Sequence, residues 1–275
     1  MKQHSNLGWN LRLYLLLVAL FLMLPLVIVV VVAFSTSNFV TFPPPGYSLR
    51  WMERVLSDPA FMRPMWNSIK LGFHATVISG VLAVPAALAM VRHRFPGAQA
   101  MQSFLLSPLS MPTLILAIAL LFFLARIGLG NTYTGLLLGH VVITLPYMVR
   151  TMVAVYASTD PRIEEAAYTL GATPVAALWH VTLPMLRPAI FAGGIFAFLI
   201  SFDEVAIALL LASAASITLP VSILTYLMYN YDPAVAAISV VKMVIVVVAL
   251  AVLERFYGLG NLTLPASGKE GGRNG

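Results

Sequence analysis

Cysteine is absent from the sequence, and charged residues make up only 9% of its 275 positions. The absence of thiols excludes disulfide bonds and cysteine-ligated metal sites. A soluble domain usually carries about 25% charged residues, so a soluble enzyme or binding domain fits this composition poorly. With 60% hydrophobic residues, the sequence is instead typical of a protein embedded in a membrane.

Several functional motifs are also missing. The sequence holds no G-x-x-x-x-G-K-[ST] phosphate loop and no H-E-x-x-H zinc motif, so it predicts neither ATP hydrolysis within the chain nor a metal centre. Its net charge of +6 is not gathered into a basic face or a nucleic-acid motif. We therefore expect no cofactor and no nucleic-acid partner, and the basic residues are better explained as signals of membrane orientation.

Six segments are long and apolar enough to cross a bilayer, which takes about 20 residues. They cover residues 13–34, 67–91, 103–125, 135–157, 189–211 and 234–256. A cleaved signal peptide is the alternative for the first segment, with Ala33-Phe34-Ser35 as a weak cleavage site. Its apolar run of 22 residues exceeds the roughly 7–15 apolar residues of a signal peptide, which favours a span.

Two shorter segments are expected to be helical without crossing. Residues 49–56 predict a short amphipathic helix between the first two spans. Residues 217–229 are too few to cross and are expected to lie at the interface or to re-enter the membrane. Both fall on the outer side if the spans alternate from a cytoplasmic N-terminus.

The basic residues predict the orientation of the spans, because Lys and Arg are retained on the cytoplasmic side. Ten of the sixteen fall on the predicted inner side, five on the outer side and Lys242 within the last span. The prediction is an all-α membrane protein with both termini in the cytoplasm. It has a cytoplasmic N-terminus (1–12), a six-span domain (13–258) with a central cytoplasmic loop (158–188), and a disordered tail (259–275).

The central loop carries the capping signals of a short helix. Asp160-Pro161 is a good helix start, since Asp can cap free amides and Pro is preorganised for the first helical position. Glu164 and Glu165 follow in the first turns, where the helix dipole favours negative charge. Gly171 suits a left-handed stop at the end of the helix.

A second short helix is expected to follow this stop. Thr173 is placed to cap it and Pro174 to occupy its first position. Leu183-Pro184 and Arg187-Pro188 are expected to end it before the fifth span begins, because proline lacks the amide that continues a helix.

The spacing of residues in this loop resembles a known motif. The pattern Glu165-Ala166-Ala167, three residues, Gly171, nine residues, Val181, one residue, Leu183-Pro184 is similar to the EAA motif of ABC importer permeases. The family most often has Ile where this chain has Val181, which is a conservative difference. An ordinary helical hairpin between two spans would not need this spacing.

The resemblance implies a type I ABC importer permease fold with six transmembrane helices in a bacterial inner membrane. The loop would then be a coupling helix seated in a cleft of a separate ATPase subunit. A second homologous permease subunit, an extracytoplasmic substrate-binding protein and membrane lipid are the other implied partners. The residues implied at the ATPase contact are Glu164, Glu165, Ala166, Ala167, Gly171, Leu183 and Pro184.

A finer resemblance concerns the fifth span and the segments after it. The segment from Ser201 to Val205, with Thr218-Leu219-Pro220 and residues 232–237, looks like the second permease subunit of spermidine/putrescine-type importers. Relatives in that group also carry other small organic solutes. The resemblance therefore favours a polyamine-like solute without fixing it.

Asp203 and Glu204 are candidate pathway residues, because carboxylates inside a membrane are costly and usually face a cavity or a partner. At about 1.5 Å per residue from Ala189, Asp203 would lie roughly 21 Å into the fifth span. Either the carboxylates line the pathway and attract a cation, or one of them pairs with Lys242 and holds the fifth span against the sixth. Both interpretations stay open, and neighbouring helix positions diverge by about 100°, so one carboxylate could serve each role.

Two other classes of function are compatible with six spans. A secondary transporter would need coupling-ion sites, usually on repeated broken helices, and no clear repeat is visible in the sequence. An intramembrane enzyme would need a spaced nucleophile and base. His74 and His140 are instead expected to be helix–helix hydrogen-bond partners.

Overall fold

The computed structural model describes residues 8–92 and 95–257, and α-helices make up most of these ranges, which confirms the all-α prediction. The helices are α1 (Trp9–Ala33), α2 (Arg50–Ser57), α3 (Pro59–Arg92), α4 (Ala98–Leu106), α5 (Thr113–Arg126), α6 (Tyr133–Ala157), α7 (Arg162–Thr169), α8 (Pro174–Ala177), α9 (Leu183–Asp203), α10 (Ala206–Leu211), α11 (Leu219–Tyr229) and α12 (Ala234–Tyr257). The predicted disordered tail lies outside the described residues, as do residues 1–7 of the predicted N-terminal segment.

Five of the described helices are long and apolar enough to cross a bilayer: α1, α3, α6, α12 and the continuous helix Pro174–Asp203. The first, fourth and sixth predicted spans match α1, α6 and α12 within a few residues. The second matches α3, which begins at Pro59 instead of Asn67. A pair formed by α4 and α5 makes the sixth candidate span.

The third span is not the single helix predicted over residues 103–125. The two helices of the pair are bent by 108° at a short break, and a 3-10 turn at Ser107–Ser110 precedes that break. Pro112 explains it, because a proline disfavours helical geometry in the preceding residue. Met111 is accordingly extended, with ψ 138°.

The prediction that prolines end the second loop helix before the fifth span is wrong. One helix of 30 residues runs from Pro174 to Asp203. It widens to a π-helix over Leu178–Thr182, where the Leu183 amide donates to the Leu178 carbonyl in an i→i+5 bond. The wide turn accommodates the ring of Pro184, which would clash with the carbonyl four residues earlier in a regular helix.

The fifth span also ends earlier than the predicted residue 211. After α9 stops at Asp203, Glu204 is extended with ψ 126°. Glu204 Oε1 accepts hydrogen bonds from the amides of Ala206 at 2.8 Å and Ile207 at 3.2 Å, so its side chain caps α10. The helix that carries Asp203 starts before Ala189, the residue from which its depth was counted, and the depth of Asp203 in the membrane stays a prediction.

The described residues divide into two compact units, and the larger comprises residues 66–92, 95–220 and 246–257. Its centre is the packing of α6 against α9. A Cβ atom at Gly193 would lie 2.8 Å from Met148 Sδ, so glycine permits the close approach of these helices. The buried residues of this core are Ala83, Ala87, Met148, Val149, Met152 and Ala189.

The smaller unit comprises the described residues 8–65 and 221–245. It contains α2, which confirms the predicted amphipathic helix and buries Trp51 and Val55. Asp232 accepts hydrogen bonds from the Tyr226 hydroxyl at 2.8 Å and from the Ala234 amide at 3.1 Å, and the second bond caps α12. The preceding helix, α11, has 11 residues and is too short to cross, as predicted.

Candidate coupling site

Local sequence signals position α7 directly after α6. Asp160 Oδ1 accepts a hydrogen bond from the Arg162 amide at 2.9 Å, which satisfies one of the amides that have no partner within the helix. The helix begins at Arg162, one position after the expected Pro161, and has Glu164 and Glu165 in its first turn as predicted.

The turn that follows α7 is a Schellman motif. Gly171 has φ +86°, its amide donates to the Tyr168 carbonyl at 2.9 Å, and the Ala172 amide donates to the Ala167 carbonyl at 3.0 Å. A Cβ at Gly171 would meet no described atom within 4 Å. Glycine is therefore required here by the backbone and not by space, which confirms the predicted stop.

Thr173 starts the next helix as predicted. Its Oγ1 accepts a hydrogen bond from the Ala176 amide at 3.2 Å, and Pro174 occupies the first helical position. Leu183 and Pro184, the last residues of the motif, lie further along the same continuous helix and are half-buried. They connect the loop rigidly to the span that follows.

Glu164 is buried, with 8% of its surface exposed. Its Oε2 accepts a hydrogen bond from Arg92 Nε at 2.8 Å. Its Oε1 accepts from the Tyr156 hydroxyl at 2.7 Å and from Thr182 Oγ1 at 2.6 Å. We call these four residues, Arg92, Tyr156, Glu164 and Thr182, the Glu164 cluster.

The surroundings of Glu164 favour its ionised form. Burial acts to raise the pKa of Glu164, but the hydrogen bonds from Thr182, Tyr156 and Arg92 outweigh burial and lower the pKa below its ordinary value. Bonds to the charged form and a nearby cation both stabilise a carboxylate. The cluster therefore holds a buried anion whose two oxygens are both occupied by donors of the same chain.

Glu165 differs from its neighbour because it is exposed, and so is Ala166. Large apolar side chains are exposed in the same stretch of chain: Leu170 directly after α7 is 88% exposed, Val175 in α8 is 65% exposed, and Trp179 just beyond α8 is 64% exposed. Apolar side chains gathered on one exposed element mark an interaction surface. We call α7, α8 and the turn between them, with these exposed side chains, the loop surface.

A cavity of about 400 Å³ opens between the loop surface and the Glu164 cluster. Its lining residues are Leu88, Arg92, Tyr156, Pro161, Glu164, Glu165, Tyr168, Pro174, Leu178 and Thr182. Glu165, the exposed carboxylate of α7, and Glu164, the buried one, therefore both line the same cavity.

The two predicted pathway carboxylates lie at the break after α9. Asp203 is its last residue and is exposed, whereas Glu204 is half-buried and caps α10. Lys242 is half-buried in α12. The pairing of a carboxylate with Lys242 and the contact of either carboxylate with solute both stay predictions.

The histidines within spans bond to neighbouring helices, as expected. His140 Nδ1 lies 2.8 Å from Ser201 Oγ, which links α6 to α9. His74 Nδ1 lies 2.7 Å from the Tyr133 hydroxyl, which links α3 to α6. The His140–Ser201 contact is as short as that between a nucleophile and its base, but among the described residues no third group bonds to His140 Nε2 and orients the ring. An intramembrane enzyme therefore gains no support from this pair.

Sequence reasoning missed three members of the Glu164 cluster. In the sequence, Arg92 is explained as a signal of membrane orientation, and no motif or spacing singles out Tyr156 or Thr182. Arg92 is 72 positions from Glu164, and no local periodicity connects positions so far apart. No signal in the sequence therefore identifies Arg92 as the partner of Glu164.

Comparison with known proteins decides the family. A sequence model described as the binding-protein-dependent transport system inner membrane component matches residues 76–258. The chain belongs to that family. It is therefore the membrane-spanning permease subunit of an ABC importer in the inner membrane, and not an enzyme.

Two curated relatives illustrate the range of the family. The permease is 30% identical over 210 residues to the spermidine/putrescine transport system permease protein PotC of Haemophilus influenzae, with 76% of this chain and 81% of that protein covered. It is 31% identical over 214 residues to the molybdenum transport system permease protein ModB of Mycobacterium bovis, with 72% and 80% covered. Similar identities thus accompany different cargoes.

A solved structure confirms the fold. The permease matches a chain of a bacterial ABC transporter involved in import of the acidic polysaccharide alginate, with a TM-score of 0.71 and 21% identity. The match covers 90% of this chain and 94% of that chain. The type I permease fold predicted from the sequence is the fold observed.

Proposed function

We propose that the loop surface is where separate ATPase subunits dock, and that Glu165 and Ala166 lie at that contact. The observation that carries this proposal is the combination of an exposed EAA segment with exposed Leu170 on a helix closed by the Gly171 turn. Small alanines allow a partner to approach the helix closely, and an exposed Leu gains free energy when a protein cleft covers it.

Docking is tested by the variants Glu165→Ala and Gly171→Asp. Both should lower the amount of ATPase that co-purifies with the permease and should lower ATP-driven uptake, the first by removing a contact and the second by straining the turn. Glu53→Ala is a matched control, because Glu53 is also exposed and in the first turn of a short helix. Normal association and uptake in both loop variants would defeat the docking proposal.

The complete importer that we propose contains more than this chain. Six crossing segments with one coupling loop make half of a translocator, so a second, homologous permease subunit completes the pathway. An extracytoplasmic binding protein delivers the solute to the outer face, in keeping with the family's dependence on binding proteins. ATP binding and release would then alternate the pathway between outward-open and inward-open states.

For the solute we propose a small organic cation of the polyamine type. The support comes from the spermidine/putrescine relative and from Asp203, an exposed carboxylate at the break after α9. A carboxylate in the pathway lowers the energy of a passing cation.

Uptake assays can decide the solute. Membrane vesicles with the complete importer should accumulate labelled spermidine or putrescine, and Asp203→Asn should weaken that accumulation. Accumulation of molybdate instead, or polyamine uptake unchanged in both Asp203→Asn and Glu204→Gln, would contradict the proposal. Mass spectrometry of the solute held by the cognate binding protein gives an independent answer.

A further inference from the structure

The Glu164 cluster connects the loop to three spans at one point. Arg92 is the last residue of α3, Tyr156 lies near the end of α6, Glu164 lies in α7, and Thr182 lies in the π-helix that leads into α9. Three donors at 2.6–2.8 Å therefore reach one carboxylate from three different membrane helices.

Further contacts hold the arginine in this arrangement. Its guanidinium carbon lies 4.4 Å above the ring centre of Tyr156, a cation–π geometry. Its Nη2 donates to Thr159 Oγ1 at 3.0 Å and to the Thr159 carbonyl at 3.3 Å. Arg92 is thus tied both to the end of α6 and to the residues that precede α7.

Burial separates this carboxylate from any docking partner. The side chain of Glu164 is 11% exposed and that of Arg92 20% exposed, and both oxygens of Glu164 already accept bonds within the chain. A partner protein that bound Glu164 directly would have to displace these donors. Glu165, its neighbour, is exposed and needs no such displacement.

We propose that the Glu164 cluster is the mechanical joint that carries movement of α7 to the ends of α3 and α6 and to the start of α9. Glu164 is a positioning residue that holds α7 against the spans, whereas the loop surface makes the contact with the ATPase. The inference rests on the proposed function, because it assumes that an ATPase moves α7. Without the joint, α7 could still bind the ATPase, but a displacement of α7 would no longer move the ends of the spans.

The test measures the ATP hydrolysed for each solute molecule imported, in proteoliposomes that contain the complete importer. Glu164→Gln should leave the amount of co-purified ATPase within about twofold of the parent. It should raise the ATP consumed per solute by about fivefold or more, since coupling free energies of 1–3 kcal/mol correspond to such factors. A residue with only a structural role would lower assembly and leave this ratio unchanged.

A double variant adds a second criterion. If Arg92 and Glu164 act through each other, Arg92→Gln combined with Glu164→Gln should raise the ratio no further than the worse single variant. Thr182→Val removes one hydrogen-bond donor to Glu164 and keeps nearly the same side-chain shape. This variant provides the test if the importer with Glu164→Gln does not assemble. An unchanged ratio in Thr182→Val and in whichever Glu164 variant assembles would overturn the proposal.

The matched Glu165→Gln variant distinguishes the joint from docking. Lost ATPase association in Glu164→Gln, with normal association in Glu165→Gln, would place Glu164 on the docking surface and refute the joint. Normal association and normal coupling in the Glu165 and Gly171 variants would instead refute the docking proposal on which the joint depends.

Discussion

The chain holds two pairs of adjacent carboxylates, and in each pair one residue is more exposed while the other accepts hydrogen bonds that fix its position. In the pair Glu164–Glu165, the first residue is buried by donors of the chain and the second is exposed. In the pair Asp203–Glu204, the second caps a helix and the first is exposed. In the first pair the two side chains diverge because neighbouring positions on a helix point about 100° apart. In the second pair they diverge because the helix ends at Asp203 and Glu204 is extended.

The two structural carboxylates differ in what they stabilise. Glu164 compensates a partly buried cation and joins several helices, so its removal should affect distant parts of the larger unit. Glu204 accepts hydrogen bonds from two backbone amides that lie within three positions of it in the chain. The effect of substituting Glu204 should therefore be local. This difference orders the expected effects of substitution.

The largest effect is expected for Glu164→Ala. It leaves Arg92 partly buried without its carboxylate, at a cost of about 3 kcal/mol, and amide exchange in α7 should therefore speed up about 100-fold. Hydrogen-exchange mass spectrometry on the purified permease chain, without the ATPase subunits, measures this directly. Glu165→Ala is the control and should change exchange in α7 by less than about threefold; equal effects of the two substitutions would erase the distinction between the two carboxylates.

A smaller effect is expected for Gly171→Ala. No described atom is close enough for a clash, so the cost is the strain of a left-handed residue, about 1.5 kcal/mol. Exchange should increase in α7 and at the amides of the turn. Gly8, which has φ −51° and equally open surroundings, supplies the control Gly8→Ala. No change on substitution of Gly171 would mean that the turn does not need its left-handed geometry.

The removal of the α10 cap should cost about 1 kcal/mol. In Glu204→Ala, exchange should increase at the amides of Ala206 and Ile207, which lose their acceptor, and should stay unchanged in α7. Asp203→Asn should leave both amides protected. Increased exchange in α7 of the Glu204 variant would contradict the local role assigned to the cap.

The smallest effect concerns pH. The pKa of Glu164 in the folded protein is lowered, so the stability that its ionised form contributes is fully present above the ordinary carboxyl pKa of about 4.3 and is lost as the pH falls through the lowered value. Exchange protection of α7, corrected for intrinsic rates, should be constant from neutral pH down to about pH 5 and should decline only below the ordinary pKa. A decline that begins near neutral pH would mean that the carboxylate is not held in its charged form.

Local features of this fold were predictable from the sequence. The helix stop at Gly171 and the restart at Thr173-Pro174 follow from backbone chemistry of adjacent residues. The long spans follow from uninterrupted apolar runs. The EAA spacing places the candidate site on one short segment.

Features that depend on distant or competing interactions were not predictable. The helix passes through Pro184 because a π turn relieves the clash, and the fifth span breaks because Glu204 bonds to backbone amides. The hydropathy of the sequence predicts neither the π turn nor the break in the fifth span. The role of Glu164 depends on Arg92, which no pattern in the loop identifies.

The most direct test of the central claim uses the absence of cysteine from the native chain. A photoreactive maleimide attached to Leu170→Cys should cross-link to the ATPase subunit when the importer is illuminated. The same probe on Phe39→Cys, which is also exposed and lies on the predicted outer side, should give no such product. Cross-linking from position 170 confirms the loop surface as the docking site, and its absence in an active importer would contradict the account.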